Sequence, residues 1–194
     1  LKYVFYDPLI QVLHISDTQS GLLLTMYAIG CVILYIPGGI LADKMNPKKA
    51  LMLSLAVATI LTGAFAVTIL LDLPGSVAYG ISLVIWLLIA FASGFVFWTA
   101  ILKAIRIIGT EEEQGTMYGI YYAANGTTAA IIAAVNLWAY NAGGGDSNMK
   151  SGFFWAVVSM AAFTLLATIL IAIFLEGKSD KDLSTAEEDK FHFG

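Results

Sequence analysis

The chain has 194 residues, of which 59% are hydrophobic and only 12% charged, and its formal net charge at pH 7 is −4. Soluble domains average about 45–50% apolar and about 25% charged residues, so this composition excludes an ordinary soluble domain. The single cysteine, Cys31, lies inside an apolar run, which excludes a disulfide framework and a thiolate metal site. The chain opens on Leu1, partway into an apolar run and without a secretory signal, so we expect a fragment of an all-α membrane protein.

Apolar runs separated by short polar turns predict six membrane-spanning helices. A bilayer core of about 30 Å requires roughly 20 apolar residues in a helix, and residues 18–42 and 50–71 contain no Asp, Glu, Lys or Arg. Residues 1–13 read as the second half of a truncated first helix. The other predicted helices cover 19–42, 49–71, 77–107, 114–140 and 151–175, with turns at 14–18, 43–48, 72–75, 109–113 and 143–148.

The basic residues of the predicted turns and tail lie almost entirely at one end of this bundle. Lys150 is the single basic residue in the turns at the other end. Because Lys and Arg are enriched in cytoplasmic loops, the basic end is predicted to face the cytoplasm, and the polar segment 176–194 with it. We therefore expect a multi-pass protein of the plasma (inner) membrane. The basic end carries Lys44, Lys48, Lys49, Lys103, Arg106, Lys178, Lys181 and Lys190.

The connector between the second and third predicted helices carries a recognisable order of residues. It reads Gly39-Ile40-Leu41-Ala42-Asp43-Lys44, followed by Asn46 and Lys48-Lys49. This order resembles the signature loop of the major facilitator superfamily, usually Gly-x-Leu-Ala-Asp-Arg-x-Gly-Arg followed by Arg or Lys. Lys44 keeps the charge of the commoner Arg but loses its bidentate fork. Asn46 stands in place of the Gly, whose left-handed backbone conformation Asn tolerates.

The resemblance implies a six-transmembrane-helix bundle that is half of a twelve-helix fold. Residues 1–175 would be the amino-terminal bundle and 176–194 the start of the central linker to a carboxy-terminal six-helix half. In this family two such halves rock alternately about a central cavity, and the carboxylate at Asp43 meets a helix end of the other half. The implied gating motif is Gly39, Asp43, Lys44, Lys48, Lys49 and Arg106; the lysines Lys48 and Lys49 could equally serve only to set topology.

Polar side chains inside the spans are the candidates for a substrate cavity. Ionisable residues within spans are costly and are functional candidates by default; Lys2 and Asp7 are the two that qualify before Lys103. On the fifth predicted helix the tyrosines and Asn125 recur at helical spacing on one side, while Gly115, Gly119, Gly126 and Ala130 form a small-residue side suited to helix contact. The predicted cavity residues are Lys2, Tyr6, Asp7, Tyr27, Trp98, Tyr118, Tyr121, Tyr122 and Asn125.

These patterns and the resemblance predict a secondary active transporter. It would carry a small polar metabolite, an organic anion or a sugar-like solute, by proton-coupled alternating access in the lipid bilayer. An enzyme is not expected: Ser93-Gly94 suggests an intramembrane serine protease, but its general base would have to be His14 in an outer turn or His192 in the tail. No cofactor, metal or nucleic acid is expected. The alternatives are an oligomeric six-helix channel and a membrane protein that transports nothing.

Overall fold

The computed structural model describes residues 4–108 and 111–175, except for the side chains of 42, 43, 94–96, 99, 107, 108 and 111. These described residues form seven α-helices and no strand. A π-helical segment, Phe91–Phe97, joins the fourth helix to the fifth, and single 3₁₀ turns cover Glu111–Glu113 and Gly145–Asn148. The α-helices are α1 (Tyr6–Val12), α2 (Asp17–Lys44), α3 (Pro47–Leu70), α4 (Gly75–Ala90), α5 (Trp98–Ile108), α6 (Gln114–Ala142) and α7 (Met149–Phe174).

The prediction of an all-helical membrane protein is confirmed, whereas the count of six spanning helices is not. Four described segments are long and apolar enough to cross a membrane: 17–41, 47–70, 75–93 and 145–174. α1, with seven residues, is too short to span. α6 has 29 residues, but its tyrosines, asparagines and threonines make it less apolar than those four. The structure divides the single helix predicted over 77–107 with the π segment. Hydropathy depends on side chains, so it gives no sign of this change in backbone hydrogen bonding.

The turn between α2 and α3 is shorter than the sequence pattern indicated, and Asn46 has a different role there. Asn46 is extended, with φ −63° and ψ 126°, because the residue before a proline is excluded from the helical region. Its side chain accepts a hydrogen bond from the Lys48 N–H at 2.9 Å. Pro47 occupies the first helical position, where its missing N–H costs nothing. Asn46 therefore begins α3 as a cap rather than as a left-handed turn residue.

A large apolar cluster holds one end of the bundle together. Phe153 of α7 is 0% exposed and lies between two other aromatic rings, with centroid distances of 6.3 Å to Phe5 and 6.1 Å to Phe65. Tyr140 of α6 packs on Phe5 with centroids 5.4 Å apart. The cluster thus joins the start of α1 to α3, α6 and α7, and it also includes Ala78 and Ile85 of α4. We name it the outer cluster, because it lies at the end of the bundle that the charge pattern predicts to face away from the cytoplasm.

A second, separate cluster lies at the opposite end of the bundle. Ala50 and Leu51, at the start of α3, pack against Ala100 and Ala104 of α5. Small side chains allow helix backbones to approach closely. This close packing matters in a membrane, because lipid provides no hydrophobic driving force between helices. α4 belongs to the outer cluster and α5 to this inner cluster, so the π segment lies between the two.

Three turns meet at the outer end, which establishes that they lie at the same end of the helices. The carbonyl oxygen of His14 lies only 2.5 Å from where a Cβ on Gly75 would be. Lys150 Nζ, near the start of α7, lies 2.9 Å from Asp72 Oδ1. His14 and Asp72 both have φ of +52°, and for Asp the left-handed region is comparatively accessible. The turns 13–16, 71–74 and 143–148 therefore cap the same end of the helices.

Candidate functional site

The structure distributes the predicted site residues over four places rather than one cavity. Tyr6 and Asp7 lie at the outer end, Tyr27 and Trp98 beside the π segment, and the tyrosines of α6 along its first half. The gating residues lie at the inner end. Lys2 lies outside the described residues, as do Lys178, Lys181, Lys190 and the rest of 176–194.

The outer place combines two tyrosines with three carboxylates. The Tyr6 hydroxyl donates a hydrogen bond to the Asp17 carboxylate at the start of α2. The Tyr140 hydroxyl donates to Asp146 Oδ1 at 2.8 Å. Asp7 is exposed and lies close enough to both tyrosines to interact with them electrostatically. Sequence reasoning missed Asp17 and Asp146, because neither lies within a predicted span.

The middle place is where α2 meets the π segment. The Tyr27 hydroxyl lies 3.1 Å from Ser93 Oγ, and Ser93 Oγ donates to the Ile89 carbonyl at 2.8 Å. One turn further along α2, a Cβ on Gly30 would be 2.7 Å from Ala90 Cβ, so the two helices are in close contact here. Sequence reasoning considered Ser93 only as a nucleophile and missed this pairing; a π segment, often found at functional sites, has no clear sequence signal.

Trp98 follows the π segment directly and keeps 39% of its surface exposed. Its ring contacts Phe97 edge-on, with centroids 5.9 Å apart. Phe97 itself packs against the inner cluster. Trp98, five residues after Ser93, therefore presents an exposed aromatic surface, while its neighbour Phe97 anchors the backbone.

The third place is the first half of α6, which has little of the described bundle around it. Tyr118 and Tyr121 are half-buried, and Tyr122 and Asn125 are exposed. The rings of Tyr121 and Tyr122 meet edge to face with centroids 5.1 Å apart. Gly115, Gly119 and Gly126 lie next to these tyrosines on the helix surface, each three or four residues from Tyr118 or Tyr122, and an added Cβ at any of the three would find no described atom within 4 Å. Both the polar aromatic residues and the small residues are open here.

The gating residues lie where α2, α3 and α5 come together at the inner end. Gly39 is half-buried on α2, Lys44 and Lys49 are exposed and Lys48 is half-buried. Arg106 is exposed in the last turn of α5, and its carbonyl accepts a hydrogen bond from the Gln114 side chain at 3.1 Å. The side chain of Asp43 lies outside the described part of the chain. The backbone thus places Arg106 and the connector at one end of the bundle.

Charge at the outer end is partly neutralised by one exposed ion pair. Lys150, through its hydrogen bond and its positive charge, holds the pKa of the Asp72 carboxyl below its ordinary value of 3.8. The two side chains are 36% and 78% exposed. Over the described ranges 4–108 and 111–175, no group of three His, Cys, Asp or Glu residues lies together as metal ligands would.

Comparison with known proteins decides the family. The family model described as Major Facilitator Superfamily matches residues 3–193. The chain belongs to the Major Facilitator Superfamily. The family suggested by the residues at Gly39–Lys49 is thereby confirmed. No solved structure matches the chain with significant similarity.

Three bacterial proteins are similar in sequence to this chain over most of its length. The chain is 27% identical to Inner membrane protein YqcE of Escherichia coli (strain K12) over 143 residues, 73% of this chain and 31% of that protein. It is 26% identical to Inner membrane protein YihN of the same organism over 175 residues, 88% of this chain and 39% of that protein. It is 30% identical to Uncharacterized protein MG294 homolog of Mycoplasma pneumoniae (strain ATCC 29342 / M129 / Subtype 1) over 174 residues, 84% of this chain and 36% of that protein.

Two statements follow from the superfamily match and the helices together. The chain is part of a multi-pass membrane protein, since several of its helices are long and apolar enough to cross a bilayer. It also spans only about a third of the length of the curated relatives it matches. Major facilitator proteins are membrane transporters rather than enzymes, so transport is the activity to which the family points.

Proposed function

We propose that this chain is the amino-terminal half of a secondary active transporter of the plasma (inner) membrane. The observation that carries the proposal is the superfamily match over residues 3–193. The transported solute is a small polar metabolite, either an organic anion or sugar-like, and movement is by alternating access coupled to H⁺. The relatives extend well beyond the stretch they share with this chain, and we place in that further length a carboxy-terminal six-helix half, which residues 176–194 would join as a cytoplasmic linker.

The proposed substrate path follows the polar side chains that the described bundle leaves open. Polar groups at bilayer depth are tolerated where they face protein or water rather than lipid. Tyr121, Tyr122 and Asn125 on α6 are of this kind, as is the Tyr27 hydroxyl on α2. We assign the path to both places, with Tyr118 and Trp98 adding aromatic surface. Lys2 is retained as the basic candidate of the first helix.

The proposed proton step uses Asp7, and the proposed gate uses Asp43. Asp7 is an exposed carboxylate beside Tyr6, so it has access to water from the outer end. Asp43 immediately precedes the end of α2 at Lys44. A carboxylate gains about 0.3–1 kcal/mol at a helix amino terminus, which is the interaction proposed between Asp43 and the second half. Gly39, Lys44, Lys48, Lys49 and Arg106 complete the gate.

Solute uptake by the full-length protein in proteoliposomes tests this function. Sugars, sugar acids, organic acids and phosphate esters would be offered as radiolabelled solutes, with and without an inward proton gradient. We expect one class to be taken up, faster when the gradient is present. Tyr121→Phe and Asn125→Ala should reduce that uptake at least tenfold, because they remove hydrogen-bonding groups from the open side of α6.

Trp138→Ala is the matched control on the same helix, since Trp138 is exposed near its outer end. It should leave uptake within twofold of the unaltered protein. Uptake that rises without saturation as solute concentration increases, together with self-association of the protein, would contradict a carrier and favour an oligomeric channel. No uptake of any class by correctly folded protein would contradict transport altogether.

A further inference from the structure

The π segment joins α4 to α5, at the carboxyl end of the apolar segment 75–93 and ahead of Lys103, the first charged residue that follows. Residues 75–108 are helical without interruption, and Ser93 lies near the middle of that run. Where backbone hydrogen bonding returns from π spacing to α spacing, one carbonyl is skipped and keeps no N–H partner in the helix. At bilayer depth such backbone is tolerated only inside protein or beside a water-filled cavity. The segment Phe91–Phe97 is therefore a place where the spans offer backbone oxygen to something other than lipid.

The side chains at this place accept hydrogen bonds rather than donate them. A serine hydroxyl carries one proton, and that of Ser93 is donated to the Ile89 carbonyl at 2.8 Å. In the 3.1 Å contact between Tyr27 and Ser93, Tyr27 must then be the donor. With both protons placed in this way, the oxygens of Tyr27 and Ser93 offer lone pairs to a ligand that supplies donors.

No charged side chain lies near this place on the helices that form it. The π segment packs on α2 and α3, and residues 18–42, 50–71 and 73–102 contain no Asp, Glu, Lys or Arg. Along the chain, Asp17 precedes Tyr27 by ten residues and Lys103 follows Ser93 by ten, about 15 Å in each case. An anion would meet only acceptors here, and a cation would be buried without a counter-ion, which is costly in a medium of low dielectric constant.

We infer that Tyr27, Ser93 and the π segment form a binding site for an uncharged solute that carries hydroxyl groups. This inference rests on the proposed transport function and selects the sugar-like solute over the organic anion. Hydroxyl groups donate to the Tyr27 and Ser93 oxygens and to the skipped carbonyl. The exposed ring of Trp98 supplies the apolar surface on which such a solute packs.

Thiol labelling of the full-length protein in proteoliposomes tests whether water reaches this site. Cys31, which lies one turn after Tyr27 on α2, and any other cysteine are first replaced by Ala, which adds no hydrogen-bonding group beside Tyr27, and Ser93→Cys is then introduced. The reagent is 2-hydroxyethyl methanethiosulfonate, an uncharged, water-soluble reagent that reacts with hydrated thiols. Ser82→Cys is the matched control: Ser82 lies in α4, donates to the Ala78 carbonyl at 2.7 Å and is 0% exposed. We expect Ser93→Cys to react at least tenfold faster than Ser82→Cys.

Protection from labelling tests the class of ligand. The neutral probes are glycerol, xylitol, glucitol, inositol and sucrose. The charged probes are gluconate, an anion with the carbon skeleton of glucitol, and glucosamine, a cation with the carbon skeleton of glucose. At least one neutral probe should slow the labelling of Ser93→Cys threefold or more, and gluconate should not. The same neutral probe should raise the melting temperature of the unlabelled protein. Tyr27→Phe should abolish that rise and Tyr35→Phe, an exposed position on the same helix, should keep it.

The outcomes separate this site from the transport function. Labelling of Ser93→Cys no faster than that of Ser82→Cys overturns the site, and Tyr27→Cys in the same background repeats the measurement if Ser93→Cys does not fold. Protection by gluconate or glucosamine alone, or by no probe, overturns the uncharged ligand while leaving transport intact. A protected, water-accessible site in a protein that takes up no solute supports the site and contradicts the proposed transport.

Discussion

Gly75 fixes how closely two outer turns approach each other. A Cβ at this position would lie 2.5 Å from the His14 carbonyl oxygen and 3.2 Å from His14 Cβ. Because the nearest atom is backbone, it cannot move away as a flexible side chain would. Gly75→Ala is therefore expected to destabilise the full-length protein in detergent by about 1–3 kcal/mol, the usual cost of overpacking.

Gly80→Ala provides the comparison, since Gly80 is on the same helix and has no atom within 4 Å of an added Cβ. It should be neutral or stabilising by up to about 1 kcal/mol through helix propensity. Thermal unfolding of both variants measures the difference. Equal melting temperatures for the two would show that the turns at His14 and Gly75 do not meet as described.

The ion pair between Asp72 and Lys150 predicts a pH dependence of known sign. Because Lys150 lowers the pKa of the folded-state carboxyl below 3.8, the pair stabilises the fold at pH values above the unfolded-state pKa. That contribution is lost as pH falls through the lower folded-state pKa. The melting temperature of the unaltered protein minus that of Asp72→Asn should thus be slightly positive at pH 7 and vanish in strong acid. The pair is exposed, so high salt should also remove the difference.

A single buried aromatic side chain, Phe153, joins α7 to the residues around it. Phe153 is 0% exposed and lies between Phe5 and Phe65. Phe153→Ala should lower the free energy of unfolding by about 3–5 kcal/mol, as expected for loss of a core aromatic ring. Phe174→Ala, at the 76% exposed end of the same helix, should change it by no more than about 0.5 kcal/mol. Denaturation in mixed micelles compares them, and similar losses for both would contradict the outer cluster.

The sequence predicts most of the helices directly, whereas it contains no signal for the π segment or for the contact between Tyr27 and Ser93, and the reason is physical. Uncharged runs such as 50–71 reveal a span because burying a charge in lipid is costly, and α3 was indeed found at Pro47–Leu70. The same runs conceal the π segment, because a shift from i−4 to i−5 hydrogen bonding changes no side chain. The sequence therefore suggests only a nucleophile at Ser93, which the positions of the two histidines argue against, and it gives no sign that Ser93 contacts Tyr27.

The predicted cavity illustrates the same limit. Helical spacing shows which residues of α6 are neighbours along its surface, since spacing depends only on helix geometry. It does not give the position of α6 relative to α2, which depends on packing between residues distant in sequence. In the described structure Tyr121 on α6 and Tyr27 on α2 belong to different places.

At the scale of the whole molecule, the open half of α6 is where the proposed second half would make contact. The glycines at 115, 119 and 126 find no described atom within 4 Å of an added Cβ, although small residues spaced in this way are typical of close helix contacts in membranes. A helix of the carboxy-terminal half lying against this side would bring the glycines into backbone contact. It would also enclose the tyrosine side between the two halves.

This contact predicts that bulk on α6 is harmful only in the complete protein. Gly126→Leu should reduce proteoliposome uptake at least tenfold and lower the melting temperature of the full-length protein, because a leucine would hold the opposing helix away. Gly80→Leu introduces the same bulk at an exposed position of α4 that also has no neighbour within 4 Å, and it should leave both quantities nearly unchanged. If Gly126→Leu behaved like Gly80→Leu, the glycine side of α6 would face lipid or water, and the second half would have to pack on a different surface of this bundle.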